Sequence, residues 1–348
     1  MGHNKIRLKY ILPSKQEVKR RAIVLRCEER EAGPQEPVSR ATAPLTMCFR
    51  DFYLLYQRDK GCRLKESTWE TKKNMIEKHL LPFFGDMRLC DIQAIDVIHW
   101  QNELMDKTVS DGKAFSQTFL RSIHSQLSAI LNHAIRFYHL PENPARQAGS
   151  IGAKEGEEMQ VWSREEYLQF AEAIMDKPLS YYCFEVLYWC GIREGELLAL
   201  TREDFDFERQ ELNISKTYHR MNGKDCITTP KTRESVRKVA MPDFLCEELQ
   251  DYFTFSWQPD SSGRVFPVTK YFLGHEMRRG SAAAGVKCIR IHDLRHSHVS
   301  LLIQMGYSAV DIAKRVGHRS IDITYRYAHI FPSVQKNMMA DLQDARGE

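Results

Sequence analysis

The sequence predicts a mainly α-helical protein with a small antiparallel β-sheet, organised as a helical domain followed by a mixed α+β domain. Three observations lead to this fold class. Four segments before residue 146 place apolar residues at helical spacing. Short strand-like runs surround an Asn-Gly turn between residues 211 and 241. Two linker-like stretches, 31–45 and 146–160, separate these regions, and 348 residues are enough for two domains.

The helical domain is expected over residues 46–145. Its apolar stripes predict four helices, over 46–59, 67–81, 92–105 and 116–137. In the second helix, Ser67 is the expected N-cap, because Glu70 follows three residues later and completes a capping box. Two closely spaced prolines, Pro141 and Pro144, are expected to end the bundle.

The mixed domain is expected over residues 161–330. Ser163 and Glu166 give a second capping-box signal, and the following helix, over 181–199, carries an arginine. Strands are expected at 211–215, 226–229 and 236–241, and the remainder is expected to be helical. The tail, 331–348, carries one apolar stripe at helical spacing, which predicts a short helix that docks either on its own domain or on a neighbouring protomer: Val334, Met338, Met339 and Leu342.

Charge is concentrated at the N-terminus. Residues 1–30 hold nine basic and three acidic residues, whereas the net charge of the whole chain is only +4. This segment is either a solvated basic tail or a segment that contacts nucleic acid. No apolar run approaches the length of a membrane span, and no signal peptide is recognised. The nine cysteines never form a CxxC pair, which favours reduced thiols in a cytoplasmic protein over a zinc site or disulfide framework.

Six side chains form an inventory that can break a phosphodiester without a metal. Arginines carry a permanent charge and can bind two phosphate oxygens, a tyrosine can attack phosphorus, and a lysine or histidine can protonate the leaving oxygen. The candidates lie in four blocks of the second domain: Arg193, Lys231, His292, Arg295, His318 and Tyr327. Because no P-loop, acidic metal-binding set or zinc spacing is recognised, we expect no cofactor and no metal.

These blocks, in this order between about residues 188 and 329, resemble those of the tyrosine recombinases, the family of phage and mobile-element integrases. They are GIREGE from Gly191, TPKTRES from Thr229, HDLRH from His292 with GH at Gly317, and SIDITYRYAH from Ser320. The resemblance implies a DNA-cutting and rejoining enzyme that forms a 3′-phosphotyrosyl intermediate. It also implies a tetramer on double-stranded DNA, acting at core attachment sites and, if residues 1–30 fold, at arm-type sites. A directionality factor, a host DNA-bending protein and a place on the bacterial nucleoid are further implied.

The resemblance also assigns roles. Tyr327 is preferred to Tyr325 as the nucleophile because of its spacing from Thr324 and the following His329. Glu196 is expected to orient the site, and its alternative is a plain helix ion pair with Arg193. Lys231 is preferred to Lys224, which lies at the Asn-Gly turn. Two histidines after Arg295 are expected to pack rather than react: His296 and His298.

Two other classes of protein remain open from the sequence. A type IB topoisomerase would use similar chemistry to relax supercoils without exchanging strands. A DNA-binding repressor or architectural protein would keep the scaffold without the activity. The complete set of candidate catalytic residues and the helical first domain favour the recombinase.

Overall fold

The computed structural model describes residues 46–108, 112–154, 159–221, 223–230 and 233–318, with Tyr327, 338–339 and 342–346. The chain divides into two compact units, the first ending at residue 156. Within the described ranges, no helix is long and apolar enough to cross a membrane. The basic segment 1–30, the linker 31–45 and the predicted elements inside them lie outside the described residues.

The first unit is a helical bundle. Its helices are α1 Phe49–Lys60, α2 Glu66–His79, α3 Leu81–Phe84, α4 Ala94–Asp106, α5 Gln117–Tyr138 and α6 Pro144–Gln147. The longest, α5, begins where the Ser116 side chain accepts a hydrogen bond from the Phe119 amide, and it ends at His139 in the left-handed conformation. Its apolar stripe is buried in the bundle core, as the sequence predicted.

Two features of this unit differ from the predictions. Helix α2 begins at Glu66, so Ser67 lies inside its first turn and does not cap it; the Ser67 carbonyl instead accepts a bond from the Thr71 hydroxyl at 2.9 Å. The bundle core also extends to Ile151, within the stretch 146–160 that was expected to be a linker.

The second unit alternates helices with two small sheets. Its elements are α7 Arg164–Ala173, α8 Pro178–Cys190, α9 Glu194–Leu197, β1 Phe205–Asp206, β2 Glu211–Ile214, β3 Thr217–Met221, β4 Lys224–Thr228, β5 Arg237–Ala240, α10 Asp243–Asp251, α11 Lys270–Ala284, α12 Ile291–Gln304 and α13 Ala309–Val316. The Ser163–Glu166 capping box of α7 is confirmed, with bonds of 3.2 and 2.8 Å.

Antiparallel pairing joins β1, β2 and β5 in one sheet, and β3 with β4 in a separate hairpin in which Met221 pairs with Lys224. The fold class is confirmed, although the sequence did not predict β1 or β3. The helix expected over 181–199 is wrong as one element. It breaks at Gly191, which takes a left-handed φ of 61° and ends α8.

Candidate active site

Arg295 is the buried centre of the candidate site. It lies on α12, whose N-cap residue, Arg290, donates its backbone amide to the Asp293 carboxylate. The Arg295 guanidinium donates from Nη1 to the Gly191 carbonyl at 2.8 Å and from Nη2 to the Val316 carbonyl. Burial, and then the charge of Arg193, lower the pKa of Arg295 to about 9, so it stays charged at neutral pH.

The carbonyls that hold Arg295 lie at the C-terminal ends of two helices, α8 and α13. Such carbonyls lack helical hydrogen-bond partners and carry partial negative charge. A guanidinium donates hydrogen bonds to them and balances that charge. Gly191 and Gly317 end these helices with left-handed φ values of 61° and 68°. A Cβ at Gly191 would lie 2.3 Å from the His298 ring, and one at Gly317 would lie 2.8 Å from the Glu234 carbonyl. Only glycine fits these two positions.

Arg193 lies beside this centre, just before α9 rather than inside a helix. Its Nη1 donates to Glu196 Oε1 at 2.7 Å, and its Nη2 donates to the Gly317 carbonyl at 3.1 Å. The Glu196 carboxylate also accepts the Arg193 backbone amide at 2.9 Å. The Arg193 side chain is 36% exposed, whereas that of Glu196 is 3% exposed. The Arg193 guanidinium is therefore held by two hydrogen bonds and is still accessible to a ligand.

Sequence reasoning missed a third arginine, Arg237 on β5. Its guanidinium contacts Glu196 at 3.2 and 3.0 Å, and its Nε donates to the Arg315 carbonyl at 2.9 Å. Although burial acts to raise it, the bonds and charges of Arg237 and Arg193 lower the pKa of Glu196. A sequence signal existed: strand alternation places Arg237 on the same face as buried Val239.

His292 and His318 lie close enough to Arg193 and Arg295 for the two charges to affect their pKa values. Burial, followed by the charge of Arg295, lowers the pKa of His292. The same two causes lower the pKa of His318 to about 3, with Arg193 adding to the effect. Both imidazoles are therefore neutral at neutral pH, and each has one N–H to donate.

Tyr327 is buried, with 1% of its surface exposed, and packs beside Val299, Ile303, Ile312 and Val316 of α12 and α13. Its hydroxyl lies in hydrogen-bond contact with Nδ1 of His296. Sequence reasoning left His296 out of the site, and the structure instead places it against the candidate nucleophile. His298 packs as expected: it is buried beside Gly191 and accepts a bond from Arg315 Nε at 3.1 Å.

Lys231 and Tyr325 lie outside the described residues. Described elements lie close to Lys231 in the sequence, since β4 ends at Thr228 and a short helical turn spans Arg233–Ser235. The Glu234 carbonyl of that turn lies next to Gly317, beside His318. Lys224 is exposed in the β3–β4 hairpin. The structure thus brings together Arg193, Glu196, His292, Arg295, His318 and Tyr327.

Two family profiles match the chain. A phage integrase N-terminal SAM-like domain matches residues 48–105, and the phage integrase family matches residues 161–333. Among curated proteins, the ICEBs1 integrase of Bacillus subtilis is 25% identical over 326 residues, covering 88% of this chain and 85% of that protein. A putative prophage phiRv2 integrase of Mycobacterium tuberculosis is 26% identical over 278 residues, covering 76% and 70%.

Solved structures show the same fold. The Tn1549 transposon integrase in complex with a circular intermediate DNA superposes with a TM-score of 0.71 at 20% identity, covering 85% of this chain and 99% of that one. A lambda integrase tetramer bound to a Holliday junction gives a TM-score of 0.60 at 17% identity, covering 88% of each chain. This chain belongs to the phage integrase family. It is a tyrosine-type site-specific DNA recombinase.

Proposed function

We propose that this recombinase integrates and excises a mobile element or prophage by cutting DNA with Tyr327. The observation that carries the assignment of the site is the placement of two guanidiniums at adjacent carbonyls. Arg295 is bonded to Val316 and Arg193 to Gly317, and His318 follows directly in the chain. A phosphate placed there would meet two fixed cations and a neutral imidazole.

The chemistry follows from this arrangement. Arg193 and Arg295 bind the non-bridging oxygens of the scissile phosphate, where negative charge builds up in the transition state. His292 and His318 donate their N–H groups to the same oxygens. The Tyr327 oxygen bonds to phosphorus, and the leaving 5′ oxygen takes a proton from Lys231. Because the 3′-phosphotyrosyl link conserves the bond energy, rejoining needs no nucleotide hydrolysis.

The two units would have separate roles in recombination. The helical domain, 46–145, would bind the core attachment sites, and the catalytic domain, 161–330, would cut and rejoin the strands. Affinity for DNA would come mainly from phosphate contacts and would fall with salt. The basic segment 1–30 would contact arm-type sites, and a directionality factor and a host DNA-bending protein would set the direction of the reaction on the bacterial chromosome.

A homotetramer on DNA is the expected assembly, as in the lambda integrase complex. The tail supports this proposal, since its described apolar residues Met338, Met339 and Leu342 are 55%, 70% and 70% exposed. The second unit also carries an apolar pocket of about 530 Å³ with Trp189, Phe244, Leu301 and Met305 among its lining residues. We assign this pocket as the receptor for a neighbouring protomer's tail.

The function is tested with the attachment sites themselves. DNA flanking the gene is sequenced to define the junctions, which are then placed on one plasmid as direct repeats. The recombinase is expected to delete the intervening segment, with Tyr327→Phe as the inactive control. Relaxation of supercoiled plasmids that lack these sites, without deletion on the repeat plasmid, would instead indicate topoisomerase activity. Binding without a covalent adduct would indicate a DNA-binding protein.

A further inference from the structure

The contact between His296 and Tyr327 involves the oxygen that attacks DNA. His296 Nδ1 faces the Tyr327 hydroxyl, and the two rings lie 5.6 Å apart at 50°. On α12, His296 follows Arg295 directly and packs edge-on against His292, with ring centroids 4.8 Å apart. The imidazole therefore lies between the phosphate-binding groups and the nucleophile.

The other side of the imidazole faces a buried carboxylate. His296 Nε2 lies 3.9 Å from Asp293 Oδ1, and the side chain of Asp293 is 2% exposed. Arg290 holds Asp293 in place through two bonds of 2.9 Å. A neutral imidazole carries one N–H, and the carboxylate favours the tautomer with that hydrogen on Nε2. The lone pair of Nδ1 then points at the Tyr327 hydroxyl, which donates to it.

The protonation state agrees with this geometry. Burial, followed by the neighbouring His292, lowers the pKa of His296 to about 4, against the opposing effect of Asp293. Arg295 and Arg290 act in the same direction as His292, and His318 is a further neighbour. His296 is thus neutral and able to accept a proton before DNA binds. A bound phosphate adds negative charge beside it, which favours the imidazolium form.

We propose that His296 is the general base that removes the phenolic proton of Tyr327, with Asp293 as its positioning residue. This inference rests on the proposed role of Tyr327 as the nucleophile. In cleavage, the Tyr327 O–H bond breaks and an N–H bond forms at His296 Nδ1. The Tyr327 oxygen bonds to phosphorus while the bond to the 5′ oxygen breaks, and Lys231 protonates that oxygen. In rejoining, the 5′ oxygen bonds to phosphorus and returns its proton to Lys231, while the bond between phosphorus and the Tyr327 oxygen breaks and the imidazolium returns its proton to that oxygen.

The test uses His296→Asn, since the asparagine amide can accept the Tyr327 hydrogen bond but cannot take its proton. Single-turnover cleavage is measured on a nicked core-site substrate and on the same DNA with sulfur replacing the scissile 5′ oxygen. A thiolate leaves without needing an acid. We expect His296→Asn to cleave about 100-fold to 1,000-fold more slowly on both substrates. Lys231→Ala should be slow on the oxygen substrate and restored on the sulfur one.

Partial misfolding would lower cleavage of both substrates alike, so the circular dichroism and core-site affinity of His296→Asn must match those of the wild type before its slow cleavage is assigned to the lost base. His275→Asn, an exposed histidine on α11, is the matched control and should cleave like the wild type. Cleavage by His296→Asn within threefold of wild type would overturn the proposal, as would its restoration by the sulfur substrate. If the wild type forms no adduct at Tyr327, the proposed function fails instead.

Discussion

Arg237 donates hydrogen bonds from both of its Nη atoms to the carboxylate of Glu196, at 3.2 and 3.0 Å. The side chain of Arg237 is 6% exposed and that of Glu196 is 3% exposed. The same carboxylate holds the guanidinium and the backbone amide of Arg193. A buried carboxylate between two arginines compensates their mutual repulsion. It also fixes the direction in which Arg193 points, so Arg237 supports the position of the residue that we propose binds phosphate.

The first prediction concerns this pair. Arg237→Gln should lower the free energy of unfolding by about 3 kcal/mol, because it leaves a buried carboxylate with one cationic partner fewer. The double variant Glu196→Gln with Arg237→Gln should recover part of that loss, since no buried carboxylate remains. Urea unfolding of the three proteins measures both effects. Additive losses would show that the two side chains are not coupled.

A second prediction concerns Arg193 and Arg295, the two arginines that we propose bind the scissile phosphate. Arg193→Ala and Arg295→Ala should each slow cleavage at least about 100-fold, the usual effect of removing one preorganised donor. Core-site binding should change far less, because many other contacts hold the DNA. Arg278→Ala, on the exposed face of α11, is the control. Equal losses in binding and in cleavage would make Arg193 and Arg295 general phosphate anchors.

The sequence predicted the helices best where an apolar stripe was long. Helix α5 shows this, since its 22 residues span several turns and its stripe is buried. Short elements were harder, because β1 has only two residues and depends on pairing with β2. Ser67 has the sequence pattern of an N-cap, but α2 begins one residue earlier, at Glu66. The break at Gly191 is a left-handed glycine C-cap, a local signal that the prediction of one helix over 181–199 did not use.

For the candidate site, the sequence named the residues that carry recognisable motifs. Strand alternation indicated that Arg237 is partly buried, but its partner, Glu196, lies 41 residues away in sequence and could not be identified from the pattern. Nor could it identify His296, because its partner Tyr327 is 31 residues away and is brought to it by the packing of α13 on α12. Partners that are distant in sequence leave no local pattern.

A third prediction concerns the N-terminal segment 1–30. Its deletion should leave cleavage of minimal core-site DNA unchanged and should weaken binding to longer attachment-site DNA, because the nine basic residues would contact flanking sequence. Gel-shift titrations at low and moderate salt measure the two affinities. Equal affinity of the full chain and the deletion variant for long DNA would contradict this role.

A fourth prediction concerns the tail. Truncation after Pro332 should leave DNA binding by the monomer intact but reduce tetramer formation and recombination, because its exposed apolar residues would no longer reach a neighbour. Phe244→Asp in the proposed receptor pocket should have the same effect. Sedimentation on core-site DNA provides the measurement. Undiminished higher-order complexes in both variants would show that the tail packs on its own protomer.

The identity of the nucleophile is the central claim, and covalent trapping tests it most directly. A nicked core-site substrate releases a short fragment after cleavage, so the phosphotyrosyl complex accumulates and can be digested for peptide mapping. We predict that the DNA is attached to Tyr327. Tyr327→Phe should bind the same DNA with wild-type affinity and give no covalent band on a denaturing gel, since only the hydroxyl is lost. An adduct that persists in Tyr327→Phe, or a peptide map that locates the DNA on Tyr325, would contradict the account.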